Sequence, residues 1–257
     1  MSEQKALSVI DTAREKFELA CKDAQSLQIV NNFGAAFTAV GVVKLLREAM
    51  SDQVMDEVFM PLMNTKVGFL TDRTGKPDSR GNVKPLYSRE VVRDCIIDAV
   101  SIGLLPTGNQ MNILADRMYP TKEGYTYLLK KLGCKYFINI GAPKMSEQYA
   151  DVPCKISYEY KNEKKTFEVT ANVKKDTYSS IDQIKGKAER RAKKVLYEFL
   201  TGIDLGDGDE TSTVEDVEYT DVTEEVKREV GNKANGQELK VEPVAPVGAQ
   251  EAPDWAK

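Results

Sequence analysis

The apolar positions of this chain change period twice. Over 2–28, Leu7, Ile10, Phe17, Ala20 and Cys21 fall on one side of a charged helical stretch, and Phe33, Phe37, Val40, Val43 and Leu46 repeat at helical spacing in the next. Asn31 and Asn32 precede that second run and offer the side-chain oxygen that a helix N-terminus needs. A third helical stretch is expected over 52–63. Ser88 then caps a helix bearing Val91, Val92, Cys95, Ile96, Ala99 and Val100, which stops near Gly103. Between the third and fourth helices, 71–82 is rich in Thr, Asp, Arg, Gly and Pro and reads as a long surface loop.

After Pro106 the period shortens to two. Residues 110–115 and 117–121 read as short strands meeting near Asp116, 124–132 as a helix closed by Gly133, and 135–140 as a strand. The alternating runs 155–160 and 166–173 form a hairpin whose connection is Lys161-Asn162-Glu163-Lys164-Lys165. Ile184, Ala188, Ala192, Val195, Leu196 and Phe199 then mark a long helix over 181–200. Helices first, then antiparallel strands interrupted and followed by helices, predict an α+β fold.

Composition narrows the chemistry. With 257 residues and a hydrophobic fraction of 41%, a sizeable core is available. No run approaches the roughly 18 apolar residues of a membrane span. The N-terminus lacks the basic-then-apolar layout of a secretory signal, so a cytoplasmic protein without a membrane partner is expected. There are no histidines, which excludes Ser-His-Asp and Cys-His catalysis and any imidazole metal site. Cys21, Cys95, Cys134 and Cys154 form no CxxC pair and read as reduced thiols.

The formal net charge of −4 hides two opposite halves. Residues 204–257 carry 15 acidic and 5 basic side chains, whereas 1–203 carry 31 basic and 25 acidic. A basic body, 1–203, that binds polyanions and an acidic tail, 204–257, that competes with them is one reading; a solvated surface with a solubilising tail is the other. The tail is too charged and too poor in aromatics to fold alone, and disorder is expected there. Val222, Val226 and Val230 recur every four residues and suit a short helix formed on a partner, and the single Trp255 suits a docking peptide.

Two stretches hold candidate nucleic-acid contacts. In the last helix Lys187, Arg190, Arg191 and Lys194 repeat at i, i+3, i+4 and i+7, joined by Lys185 and Lys193. Stacked like charges repel by a few tenths of a kcal/mol per pair, a cost that bound phosphates would offset. Earlier, Arg117, Tyr119, Lys122, Tyr125, Tyr127, Lys130, Lys131, Lys135 and Tyr136 interleave cations with aromatics, the pattern that tracks a single strand and stacks its bases, although helical spacing sets Tyr125 with Leu128 and Leu129 and about half of these tyrosines are expected to be core. Enzyme motifs are weaker. Gly68 to Lys76 has the wrong glycine spacing for a phosphate loop, and Asp207-Gly208-Asp209 lacks the rest of a calcium loop. Asp151, Glu159 and Lys161 are the one nuclease-like set, able in principle to hold Mg²⁺ and its attacking water.

The helix ending in Ile102-Gly103-Leu104-Leu105-Pro106 resembles the Leu-Gly-Leu-x-Pro passage of the RecT-type phage recombinases. The two strands that follow, then Lys122-Glu123-Gly124-Tyr125, are similar to that family's strand–strand–(Tyr-Arg-Gly)–helix passage, with Glu123 where members often carry Arg. The late helix Lys187-Ala188-Glu189-Arg190-Arg191-Ala192-Lys193-Lys194 resembles its closing basic helix. The resemblance spans about 30–200 in element order. It implies a Rad52-like β-β-β-α core and ATP-independent binding and annealing of single-stranded DNA, with no catalytic residue and no required cofactor, Mg²⁺ entering only through the DNA. It further implies a homo-oligomeric ring or helical filament, partnership with a phage exonuclease and the host single-strand-binding protein, and a bacterial host cytoplasm. On this expectation Lys185, Lys187, Arg190, Arg191 and Lys194 hold backbone with Arg117 and Lys122 assisting, while Tyr119 and Tyr125 support bases or the groove wall. The alternatives are a metal-dependent nuclease using Asp151, Glu159 and Lys161, and a non-catalytic adaptor that binds an acidic partner.

Overall fold

The computed structural model describes residues 3–27, 33–77, 81–175, 179–203, 205 and 220–221. The chain divides into two units, Met1–Leu128 with Asp204–Thr211 and Leu129–Ile203 with Ser212–Lys257. The architecture is mixed α+β, with one sheet in each unit. Asn31 and Asn32, the 222–230 stretch and Trp255 lie outside the described residues.

In the first unit α1 (Glu3–Leu27) and α2 (Phe33–Ala49) pack against each other, and Ala13 and Ala20 of α1 and Val42 and Leu46 of α2 are buried. The expected helix over 52–63 is three short geometries in succession. Ser51 starts α3 (Asp52–Val54), the backbone widens to a π turn over Met55–Phe59, and it tightens to a 3₁₀ turn over Met60–Leu62. Pro61 has no N–H to donate backward, so a regular α-helix cannot continue through it. The buried Phe59 ring meets Phe17 of α1 at 5.2 Å.

β1 (Leu70–Thr71) runs parallel to β2 (Met111–Leu114), which pairs antiparallel with β3 (Arg117–Pro120). The parallel pair corrects the purely antiparallel expectation, and the loop expected from residue 71 begins inside a strand. Ala115 and Asp116 both take positive φ (49° and 63°) and make the two-residue turn between β2 and β3. The loop after β1 is pinned at its base: buried Tyr87 donates its hydroxyl to Asp72 at 2.6 Å and accepts the Asp116 N–H at 3.1 Å. Arg73 bonds Asp116 at 3.0 Å and lies 4.2 Å over the Tyr87 ring.

Between β1 and β2, α4 (Arg89–Ser101) starts at Ser88, whose Oγ accepts the Val91 N–H. It stops in a Schellman motif: Gly103, at φ 88°, donates to the Val100 carbonyl, and Leu104 donates to Ala99. Leu104 is fully buried. The Ile-Gly-Leu-Leu-Pro passage is thus a helix stop with a hydrophobic plug.

α5 (Lys122–Lys131) spans the boundary between the units and ends before Gly133 (φ 75°). In the second unit β4 (Lys135–Ile140), β6 (Tyr149–Tyr160) and β7 (Glu163–Lys174) form an antiparallel sheet, with β5 (Lys144–Met145) paired to β6 beside β4. The hairpin differs from its expected form. Its turn is only Lys161–Asn162, both at positive φ (49° and 68°), and each strand runs to twelve residues. Tyr136, Ile138, Ala150, Val152, Cys154, Ile156, Tyr158, Phe167, Val169, Ala171 and Val173 share one face by register. α6 (Ile181–Thr201) packs on the sheet with Ile184, Ala188, Ala192 and Leu196 buried. Ser180 and Gln183 close a capping box at its start, and Gly202 (φ 71°) ends it. Within the tail expected to be disordered, β8 (Thr220–Asp221) pairs with β7, placing Asp221 opposite Phe167 and Thr220 opposite Glu168.

Candidate nucleic-acid interface

The expected contacts divide between the units. Arg117, Tyr119, Lys122 and Tyr125 belong to the first, and Lys185, Lys187, Arg190, Arg191 and Lys194 to the second.

In the first unit Arg117 opens β3 exposed, while Tyr119 and Lys122 are half-buried. Tyr125 is a correction. Its ring is fully buried, so it is core and offers no face for a base to stack on. The reason lies in how α5 begins. Thr121 accepts the Gly124 N–H at 3.0 Å, and its own N–H reaches the Gln110 carbonyl at 3.1 Å. Gln110 also accepts the Leu105 N–H through its side chain at 3.0 Å. The first turn of α5 is therefore seated against the Gln110 backbone, where a Cβ on residue 124 would come within 2.1 Å of the carbonyl oxygen. Only glycine fits there, and the close approach carries Tyr125 inward.

On α6 the helical period places the cations differently from expectation. Lys187 is exposed, and Lys185 and Arg191 are half-exposed. Arg190 and Lys194 are only 7% and 5% exposed, which corrects the reading of a solvent-facing row. Lys193 is buried as well; it pairs with Glu189 at 2.7 Å and sits 5.8 Å from the Tyr136 ring centroid. Lys194 pairs with Glu198 at 3.5 Å. A buried cation is tolerated when its charge is met, and i, i+4 glutamates do this for Lys193 and Lys194. These side chains hold the helix in place, leaving Lys185, Lys187 and Arg191 as the accessible cations of the expected set.

Sequence reasoning missed a neighbouring group. Lys187 Nζ lies 3.4 Å from the carbonyl of Lys174, the last residue of β7, which brings exposed Lys174 and half-exposed Lys175 beside the start of α6. At the opposite end of the hairpin, Lys161, Lys164 and Lys165 are exposed. Lys161 lies 5.1 Å from the Tyr160 ring centroid. Lys165 bonds Glu163 at 2.9 Å and holds that carboxyl below its usual range. The polar run at 161–165 was legible as turn residues; its role as a cationic tip needed the register.

The nuclease set does not converge. Asp151 and Glu159 stand eight residues apart on one continuous strand, roughly 26 Å at about 3.3 Å per residue. Asp151 accepts from Asn172 at 2.7 Å, and Glu159 pairs with Lys135 at 3.6 Å. One metal ion cannot bind both carboxylates. Among the described residues no three Cys, Asp or Glu side chains gather where they could hold a metal ion. Burial pushes the thiols of Cys95 and Cys154 up to about 12 and that of Cys134 to about 11, which keeps them protonated at neutral pH. Among the described residues no helix is long and apolar enough to cross a membrane.

Compared with known proteins, the chain matches no family model, no curated protein and no solved structure.

Proposed function

We propose that this chain is an ATP-independent single-stranded DNA-binding and strand-annealing protein of the RecT type. The observation that carries the reading is the gathering of Lys174, Lys175, Lys187 and Arg191 where the end of β7 meets the first half of α6. The order of the second unit, β4, β6 and β7 followed by a basic helix, supports it, because the resemblance implies a β-β-β-α core.

Annealing requires no bond chemistry. The cations hold phosphates by charge, and base edges stay outward where complementary edges test one another. Stacking and pairing within the new duplex then favour the correct partner. Lys185, Lys187 and Arg191 take the backbone in the second unit; Arg117 and Lys122 are proposed separately as phosphate contacts of the first unit. Mg²⁺ enters only with the DNA. A homo-oligomer, a phage exonuclease, the host single-strand-binding protein and a bacterial cytoplasmic setting belong to the same proposal.

The test mixes two complementary labelled oligonucleotides with the purified protein, without ATP and with or without Mg²⁺, and follows energy transfer and strand length. Faster annealing of intact strands is expected. Binding should weaken with salt at about −0.7 log units per neutralised phosphate per log unit of salt. Absence of both binding and acceleration would overturn the proposal.

A further inference from the structure

We infer that the face of the second unit's sheet turned away from α6 is a contact surface for the backbone of duplex DNA, meeting it at two points about one helical turn apart. The inference deepens the proposed function and rests on it only in taking that duplex to be the annealed product.

Alternation creates the face. Ile156, Val169 and the residues that share their side of the sheet lie toward α6, so Lys155, Glu168 and their neighbours point the other way. On that opposite side Asn139, Asp151, Pro153, Glu168, Thr170 and Asn172 are all exposed. An antiparallel sheet solvated on one face is ordinary, and exposure alone does not indicate a partner. The placing of charge does.

Cross-strand rows order the charges along the face. At the hairpin end Lys135, Glu159 and Lys164 form one row, with Lys135 Nζ 3.6 Å from Glu159. In the middle Lys155 pairs with Glu168 at 3.8 Å. Toward the other end Lys144 and Asn172 flank Asp151, whose carboxylate accepts from Asn172 at 2.7 Å, and Lys174 lies one pleat further on. Lys135, Lys144, Lys164 and Lys174 are exposed. Each end therefore sets two exposed lysines against one carboxylate, and the middle is neutral.

The spacing fits a double helix. Lys164 and Lys174 stand ten residues apart on β7, about 33 Å at about 3.3 Å per residue, and one turn of B-form DNA is about 34–36 Å. Within each end the two lysines are about 10–12 Å apart across two strand spacings, near the roughly 12 Å width of the major groove. A duplex laid along β7 brings the same groove to both ends.

The rings of the face favour a duplex over unpaired DNA. Phe137 and Tyr149 are half-buried, whereas a surface for unpaired bases offers exposed rings on which they stack. Cations without such rings suit a backbone whose bases already stack on one another. Lys174 also belongs to the cluster at the start of α6, so the two surfaces adjoin and a newly paired product has the sheet face beside it.

The experiment compares the full-length protein with its Lys144→Gln/Lys164→Gln variant, which changes one exposed lysine at each end and none of the α6 cluster. Thermal unfolding checks that the fold is kept. The labelled probes are a duplex of about 16 base pairs, a duplex of about 6 base pairs closed by a non-nucleotide linker, and a single strand of about 16 nucleotides. The short duplex spans about 20 Å and reaches one end only. Affinity for the long duplex is expected to fall about tenfold, for the short duplex about threefold, and for the single strand less than about twofold. The salt dependence on the long duplex should become shallower by about 1.8 log units per log unit of salt, as two phosphate contacts are lost. An undiminished affinity for the long duplex would overturn the site, and equal losses on the two duplexes would overturn the two-point contact. Equal losses on duplex and single strand would make the face a general polyanion surface and overturn the duplex assignment. The expected duplex losses, in a protein that neither anneals oligonucleotides nor binds the single strand, would retain the face and reject the annealing function.

Discussion

The two units reach stability by opposite means. The first depends on single-position backbone devices: the Schellman stop at Gly103, the Ala115–Asp116 turn, the Tyr87–Asp72–Asp116 latch and the seat of Gly124 on the Gln110 carbonyl. The second repeats two simple periods, alternation along twelve-residue strands and a four-residue row along α6. The short motifs that make the sequence look like a recombinase lie mostly in the first unit, and the structure gives them structural work. Most of the accessible cations of the proposed contacts (Lys185, Lys187 and Arg191) lie in the second, where the pattern is least distinctive.

Glycine substitutions are the strongest way to break this contrast. Gly124→Ala should cost about 3 kcal/mol or more, because backbone rather than a flexible side chain stands in the way of the new Cβ. A small loss in urea unfolding would mean that the α5 seat relaxes easily. Next come the paired arginines of α6. Arg190→Ala should cost about 2 kcal/mol of stability through lost burial, whereas Arg191→Ala should leave stability within about 0.5 kcal/mol and weaken oligonucleotide binding. Equal effects on stability would erase the distinction between inward and outward cations.

Gly186→Ala should act in the opposite direction to Gly124→Ala. Residue 186 has open space for a Cβ inside a regular helix, and a gain of about 0.5–1 kcal/mol in thermal unfolding is expected. The smallest effect concerns Asp98 of α4, whose carboxyl is pushed up by burial and by neighbouring Asp94, against the pull of Arg47. A raised carboxyl pKa contributes stability that is full below the ordinary carboxylate range and lost as pH rises through its own value. Asp98→Asn should therefore raise Tm slightly at neutral pH and flatten the profile through the acid range; a lower neutral Tm would contradict this.

Legibility in the sequence followed the same division. The β4 boundaries, the Ser88 and Gly103 ends of α4 and the stripe of α6 follow from period and punctuation, which are local properties. The hairpin is longer than its pattern suggests, because Pro153 inside β6 and the polar run at 163–165 look like breaks. In the fold Pro153 accepts the Gly141 N–H through its carbonyl, and 163–165 are paired strand. The burial of Arg190, Lys193 and Lys194 was not legible, because helical spacing identifies a sheet-facing stripe but not a second withdrawn side. Tyr125 was misread for a related reason: aromatic and basic residues interleave equally well in a groove and in a core wall.

The Lys161–Asn162 turn has a consequence for how the second unit assembles. Two residues at positive φ bring β6 and β7 together with almost no loop to close, so pairing starts between neighbours in the chain and proceeds strand by strand from the tip. Hairpins of this kind form in about 1–10 μs. β6 and β7 can thus settle their register while α6 is still being synthesised, and the helix arrives on a surface already laid out for it.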